Sequence, residues 1–265
     1  MDLGLSDKSA FVSGSTAGIG LAIAEALAAE GATVTINGRT QARVDAALSA
    51  LSAKRLPGKL LGVAADLGTV TGARKLLEML PAVDVLVNNL GIFEPKAFLE
   101  IPDQEWLRFF EVNVLSGVRL SRAYLPSMLR KNWGRIVFIS SESGVQIPAE
   151  MIHYGVTKTA QLSLARGIAE SVAGSGVTVN CVLPGPTASE GVGGFVEDLA
   201  RSQGKPVKEV EQEFFRDIRP SSLIKRFARV EEVASLVAYV CSERASATTG
   251  AALRVDGGVI RAAIG

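Results

Sequence analysis

Apolar positions along this chain fall into short solid runs separated by longer stretches of helical period. The runs are Ala10 to Ser13, Ala32 to Asn37, Leu60 to Ala64, Val83 to Val87, Arg135 to Ile139, Val177 to Leu183 and Ala252 to Val255, and each reads as a buried strand. Between them the pattern predicts helices over Leu21 to Glu30, Thr40 to Ala53, Val70 to Met79, Val230 to Cys241 and two long stretches, 103–130 and 152–173. Asp103 is the expected cap of the first long helix, and Leu56-Pro57-Gly58 and Pro81 punctuate the connections. Strands and helices alternate throughout. A parallel strand needs a crossover to reach its neighbour, so this order argues for a parallel sheet covered on both faces.

Two stretches carry chemistry. Gly14-Ser15-Thr16-Ala17-Gly18-Ile19-Gly20 stands between the first strand and the first helix. Glycines there let the backbone turn sharply and approach a pyrophosphate, whose charge the exposed amides at the helix start offset. The second stretch ends in Tyr154-Gly-Val-Thr-Lys158. On a helix that spacing sets both side chains on one face, one turn apart, where an ammonium draws the phenol pKa toward the working range. Tyr154 then becomes a candidate acid and base toward an alcohol or carbonyl oxygen. Ser141 follows the strand ending at Ile139 and faces the same helix, where its hydroxyl reaches the same oxygen. His153 points about a hundred degrees away on the helix and is not expected to be catalytic.

Composition narrows the class. The 265 residues suffice for one α/β domain, and 48% are apolar. A net charge of +1 predicts no basic face, hence no nucleic-acid partner. No apolar run approaches the ~20 residues that span a bilayer, so no membrane partner and a cytoplasmic setting are expected. Cys181 and Cys241 read as buried thiols, and a single histidine leaves no metal site to expect.

With both stretches in view the sequence resembles the short-chain dehydrogenases/reductases along nearly its whole length. The loop is similar to that family's T-G-x-x-x-G-x-G, with Ser13 for the threonine. Asp66-Leu67 matches the acidic segment that contacts adenine, and Asn88-Asn89-Leu90-Gly91 matches N-N-A-G with Leu90 for alanine. Asn113 falls where the family keeps an asparagine that holds a relay water. Ser141, Tyr154 and Lys158 match the rest of that tetrad, and Pro184-Gly185 and Arg254 to Gly258 match two further segments. The resemblance implies a single-domain Rossmann fold, α/β and doubly wound, with a seven-stranded parallel sheet. It implies hydride transfer between NADP or NAD and a carbonyl or secondary alcohol substrate. Lys158 would also bond the nicotinamide ribose, and Thr187 the carboxamide. Asn113 would tolerate loss better than Tyr154. A catalytically silent dinucleotide-binding scaffold is the alternative, and reduction of 3-oxoacyl thioesters is the narrower enzyme reading.

The residues after the second strand choose between cofactors. Asn37-Gly38-Arg39 offers a guanidinium suited to a 2′-phosphate, to which Ser15 is expected to add a hydroxyl, where an acid would select NAD. NADP is favoured unless Arg39 is only a solvated cation. The stretch 186–226 is expected to be a lid over the substrate, with short helices over Phe195 to Ser202 and Val207 to Ile218. Phe195, Phe214 or Phe215 would supply an apolar wall. The sign of its charges is undetermined: Lys205, Lys208, Arg216, Arg219, Lys225 and Arg226 are diluted by six carboxylates. Glu142 and Glu150 flank the pocket, as substrate readers or, more commonly in such loops, as solvated residues. Leu90 either narrows the nicotinamide pocket or packs inward. A homotetramer or homodimer is implied, paired through 103–130 and 152–173 by small residues such as Ser116, Gly117, Gly155, Thr159 and Ser163.

Overall fold

Strands β1 (Ser9–Val12), β2 (Thr33–Gly38), β3 (Leu60–Ala64), β4 (Val85–Asn88), β5 (Gly134–Ile139), β6 (Val177–Pro184) and β7 (Ala252–Val255) form one sheet in a computed structural model. Residues 2–189, 200–202 and 204–263 are described. The strand order is β3-β2-β1-β4-β5-β6-β7, and every pairing is parallel. The helices are α1 (Gly18–Ala29), α2 (Gln41–Ser52), α3 (Val70–Met79), α4 (Asp103–Phe110), α5 (Ser116–Lys131), α6 (Ile152–Ser171), α7 (Val207–Glu213) and α8 (Val230–Cys241).

The sheet is buried on both faces, as solid apolar strands require. Ala10 and Val12 of β1 join a core with Ile23 and Leu27 of α1 and Val233 and Val237 of α8. Phe11, between them, turns the other way and packs with Leu120 and Tyr124 of α5 and Ala165 of α6. Cys181 and Cys241 lie free in opposite layers, and burial pushes each thiol up to about 12. Among the described residues no helix is long and apolar enough to cross a membrane.

Several boundaries differ from the sequence pattern, each for a local reason. The first helix begins at Gly18, within the glycine loop, because Ala17 is still extended and the chain turns helical directly after it. The first-turn amides of α1 therefore belong to the loop. Pro102, not Asp103, is the amino-terminal cap of α4; Asp103 is already helical, where its carboxylate complements the positive helix end. The long helix expected over 103–130 is interrupted by a π turn at Glu111–Leu115, and a second π turn, Phe214–Ile218, follows α7. The Ser116 hydroxyl donates to the Val112 carbonyl at 2.5 Å and satisfies an acceptor within the first. Residues 200–202 are helical, but Phe195 and most of the helix expected at 195–202 lie outside the described residues.

Three of the five small residues expected between subunits are used within the chain instead. Ser116 and Gly117 are buried, and a Cβ on Gly117 would stand 2.6 Å from Phe138 Cε1. Gly155 is buried as well, its Cβ position 2.7 Å from Ile147. Thr159 and Ser163 remain exposed on α6.

His153 faces away from the crevice. It is fully buried, 4.0 Å from the Phe109 ring and 6.0 Å from the Trp106 ring, and neither nitrogen has a hydrogen-bond partner. Burial holds its pKa below 6.5, against the pull of Glu105 and Glu94 and with the push of Lys96 and Arg108. The folded chain keeps it neutral while the unfolded chain takes a proton as pH falls through ~6.5, so folding stability is lost on acidification. The expected result is a wild-type stability falling between pH 7 and 5 more steeply than that of His153→Leu. In urea titrations the difference approaches about 1.4 kcal/mol per pH unit at most. Parallel slopes for the two proteins would refute it.

Candidate active site

Strand β1 pairs with β2 on one side and with β4 on the other, so the connections leaving the carboxyl ends of β1 and β4 diverge. A crevice opens at such a point. The glycine loop after β1 forms one wall of a cavity of about 870 Å³, and the segments after β4, β5 and β6 form the rest.

The loop is tied down by its own small polar side chains. Ser13 Oγ accepts the amides of Asn89 (2.9 Å) and Leu90 (3.0 Å). Asn89 Nδ2 donates back to the carbonyls of Ser13 and Gly14, at 3.0 and 2.9 Å. A Cβ on Gly20 would lie 2.5 Å from that Nδ2 and 2.6 Å from the Gly14 oxygen, so this position admits only glycine. The first turn of α1, whose amides have no partner within the helix, meets the cavity at Gly18, Ile19 and Gly20. The residues present thus fit the pyrophosphate of a dinucleotide.

Two expected cofactor contacts are corrected. Ser15 is wholly buried; its hydroxyl donates to the Val12 carbonyl at 2.6 Å and accepts the Asn37 amide at 2.9 Å, leaving nothing for a phosphate. Asn37 accepts the Gly14 amide and donates to the carbonyls of Val63 and Ala65, both at 3.1 Å. Both side chains brace the glycine loop and the end of β2 from behind. Arg39 is exposed just past β2. Asp66 is exposed and accepts the Gly68 amide, whereas the Leu67 side chain is in the core and offers a ligand only its backbone. Thr16 packs against Gly38. Leu90 packs inward against the core rather than into the cavity.

On the other wall, Ser141, Tyr154 and Lys158 meet with Gly91, Pro184, Gly185 and Thr187. Lys158 is 4% exposed, and Nζ lies 5.5 Å from the Tyr154 ring centre, donating to the Ile139 carbonyl at 2.8 Å. Burial lowers its pKa to about 8, with Cys181 and Glu142 acting the other way. Tyr154 departs from expectation: burial, then the Glu142 carboxylate, raises its pKa, outweighing the Ser141 hydrogen bond and the Arg219 charge. In this geometry the Tyr154 phenol stays protonated at neutral pH.

Asn113 occupies the π turn. Its Oδ1 accepts the Ile92 amide at 2.8 Å, and Nδ2 donates to the Ile92 carbonyl and Thr157 Oγ1, both at 3.0 Å. Its carbonyl accepts Gln161 Nε2 at 2.5 Å, and Gln161 Oε1 accepts Lys158 Nζ at 3.4 Å. Sequence reasoning missed Gln161. The available signal was a polar residue three positions after Lys158, on the same buried helix face.

Of the two acidic residues at the pocket, Glu150 is exposed but Glu142 is not. Glu142 is 6% exposed and accepts Ser141 Oγ at 2.5 Å. Arg219 reaches in beside the cavity and donates to Glu142 at 3.3 Å and to Glu150 at 3.1 Å. Phe214 lines the cavity with Phe227, which the sequence did not single out, and Phe215 is buried behind them.

The family model described as short chain dehydrogenase matches residues 8–200. The uncharacterized oxidoreductase YvaG of Bacillus subtilis is 49% identical over 261 residues, covering 98% of this chain and 99% of the relative. The 3-oxoacyl-[acyl-carrier-protein] reductase FabG of Aquifex aeolicus is 33% identical, covering 98% and 100%. L-sorbose reductase from Gluconobacter frateurii, solved in complex with NADPH and L-sorbose, superposes with a TM-score of 0.92 at 33% identity, covering 99% of this chain and all of that one.

Proposed function

We propose, from the premise that this chain belongs to the short chain dehydrogenase family, that it interconverts a ketone and a secondary alcohol with Tyr154 as acid and base. It is an NAD(P)-dependent oxidoreductase acting on CH–OH groups, with NADP the cofactor. The observation that carries this reading is the meeting of Ser141, Tyr154 and Lys158 in the cavity that the glycine loop walls.

When bound, the nicotinamide supplies or takes up hydride. The residues of the chain do the rest. Tyr154, protonated at neutral pH, gives its proton to the carbonyl oxygen as the carbonyl carbon is reduced, and the reverse holds for oxidation. Ser141 orients and polarises that oxygen. Lys158, fixed by Ile139 and Gln161, bonds the ribose and helps to resupply the phenol. Asn113 holds Ile92 and Gly91 over the site, and Gln161 positions Lys158. Thr187 bonds the carboxamide, and Phe214 and Phe227 form the substrate wall. The stretch 186–226 acts as the lid of this single domain. The reading also has the chain working in the cytoplasm as a homotetramer or homodimer paired through 103–130 and 152–173.

The test is NADPH oxidation followed optically against ketones and 3-oxoacyl thioesters, with NADH in parallel. Turnover with neither cofactor, although NADPH binds, would leave the scaffold reading. The thioester reading needs a basic rim for an acidic carrier, but Lys205, Arg216, Arg219 and Arg226 are each paired with a carboxylate. A free ketone is therefore favoured.

Arg39 sets the cofactor preference by pairing with the 2′-phosphate. Arg39→Glu should lower kcat/KM for NADPH by roughly 10–100-fold, as loss of a charged hydrogen-bond partner does, and leave that for NADH as high or higher. An unchanged NADPH to NADH ratio would show that Arg39 is only a solvated cation.

A further inference from the structure

Ser141 has a single hydroxyl proton, within reach of both the Glu142 carboxylate and the Tyr154 phenol, and the geometry gives it to Glu142. It is donated to Glu142 Oε2 at 2.5 Å, while the Ser143 amide donates to the serine oxygen at 3.1 Å. Glu142 is buried, and its Oε1 accepts Arg219 Nε at 3.3 Å. Arg219 is itself held by Glu150, so the carboxylate is fixed in orientation from the side away from Ser141. The serine that faces the reacting oxygen can donate to it only by abandoning Glu142. That leaves a buried carboxylate oxygen without a donor, which is costly.

Resting on the function proposed above, we infer that Glu142 makes the site selective for ketones that carry a hydroxyl on the carbon next to the carbonyl. The hydroxyl of such a substrate donates to Glu142 Oε2 in place of Ser141. The serine proton is then free for the carbonyl oxygen, and no buried acceptor is left unpaired. A ketone of the same size without the hydroxyl forces a choice between the carbonyl oxygen and the carboxylate. In the reduction the carbonyl carbon gains hydride, its oxygen gains the Tyr154 proton, and the product is a vicinal diol. No bond to Glu142 is made or broken, so Glu142 is a specificity residue rather than an acid or base. Arg219 is a positioning residue that acts through it. A site built to bond a substrate hydroxyl rejects the analogue lacking it far more strongly than an apolar pocket separates two hydrocarbons.

The test compares hydroxyacetone with butanone, which have equal numbers of heavy atoms, at saturating NADPH. For the wild type, kcat/KM should favour hydroxyacetone by about 10–100-fold, the worth of one buried, charge-assisted hydrogen bond. Glu142→Ala, which frees the serine proton for either ketone, should bring the ratio close to one, chiefly by raising butanone turnover, and Arg219→Leu should lower it partway. NADPH binding, followed by fluorescence, confirms that each variant is folded. Equal use of the two ketones by the wild type, or a ratio that survives Glu142→Ala, would overturn the inference while leaving the Tyr154 reading standing. Turnover of plain ketones or thioesters alone would overturn it too. Turnover of hydroxyacetone that persists in Tyr154→Phe would instead overturn the proposed function, and this inference with it.

Discussion

Tyr154→Phe should remove roughly 10²–10⁴-fold of kcat, the usual worth of a positioned general acid, while NADPH affinity stays within a few fold. The substitution deletes one oxygen and keeps the ring that packs edge-on against Phe93 at 6.3 Å. Nothing that shapes the glycine loop or the ribose contact changes. Because the loss falls on the step that needs the proton, it should appear in kcat and in kcat/KM alike, rather than in KM. Stopped-flow single turnovers with NADPH already bound separate this from slow release. Ordinary turnover by the variant would end the mechanism.

Asn113→Ala should do something different, lowering stability and turnover together. Its amide satisfies both backbone groups of Ile92 and donates to the Thr157 hydroxyl, which keeps its own bond to the Tyr154 carbonyl; each buried group left unpaired costs about 1–3 kcal/mol. A loss of about 2–4 kcal/mol of unfolding free energy, seen as a lower urea midpoint, is expected, since some of these groups will find water. Turnover should fall roughly 100-fold, because Ile92 and Gly91 lie over the cavity and a shift of about 1 Å there misplaces the substrate. The family resemblance implies a residue that merely orders a relay water and tolerates loss. If that is its whole contribution here, the urea midpoint will not move.

The alternating layout, the glycine loop and the tyrosine and lysine pair were all legible in the sequence, because each depends on spacing along one segment. What was not legible depends on meetings between segments. Arg219 pairs with Glu142 across 77 positions, and no periodicity announces that. Ser15 and Asn37 have the right chemistry for a phosphate and sit beside the right loop, yet their hydrogen-bonding groups are consumed by backbone groups of Val12, Gly14, Asn37, Val63 and Ala65. The π turn at Glu111–Leu115 was missed for another reason: it widens a helix that keeps its apolar face, so the pattern runs through unbroken. The raised Tyr154 pKa follows from burial, which spacing cannot report.

The strand order also governs how the chain can come into being. Strands β1, β2 and β3 can pair as soon as they leave the ribosome, whereas β4 docks on β1 through contacts such as Ser9 with Asp84, 75 residues apart. Until then β1 has an unpaired edge, and Phe11 lacks the layer that later covers it. The crevice is bounded by both strands, so no dinucleotide can assist folding of the amino-terminal third. Closing that long loop is an entropic cost met before the site exists, which makes β4 docking the natural slow step and the partly made chain the state most exposed to aggregation.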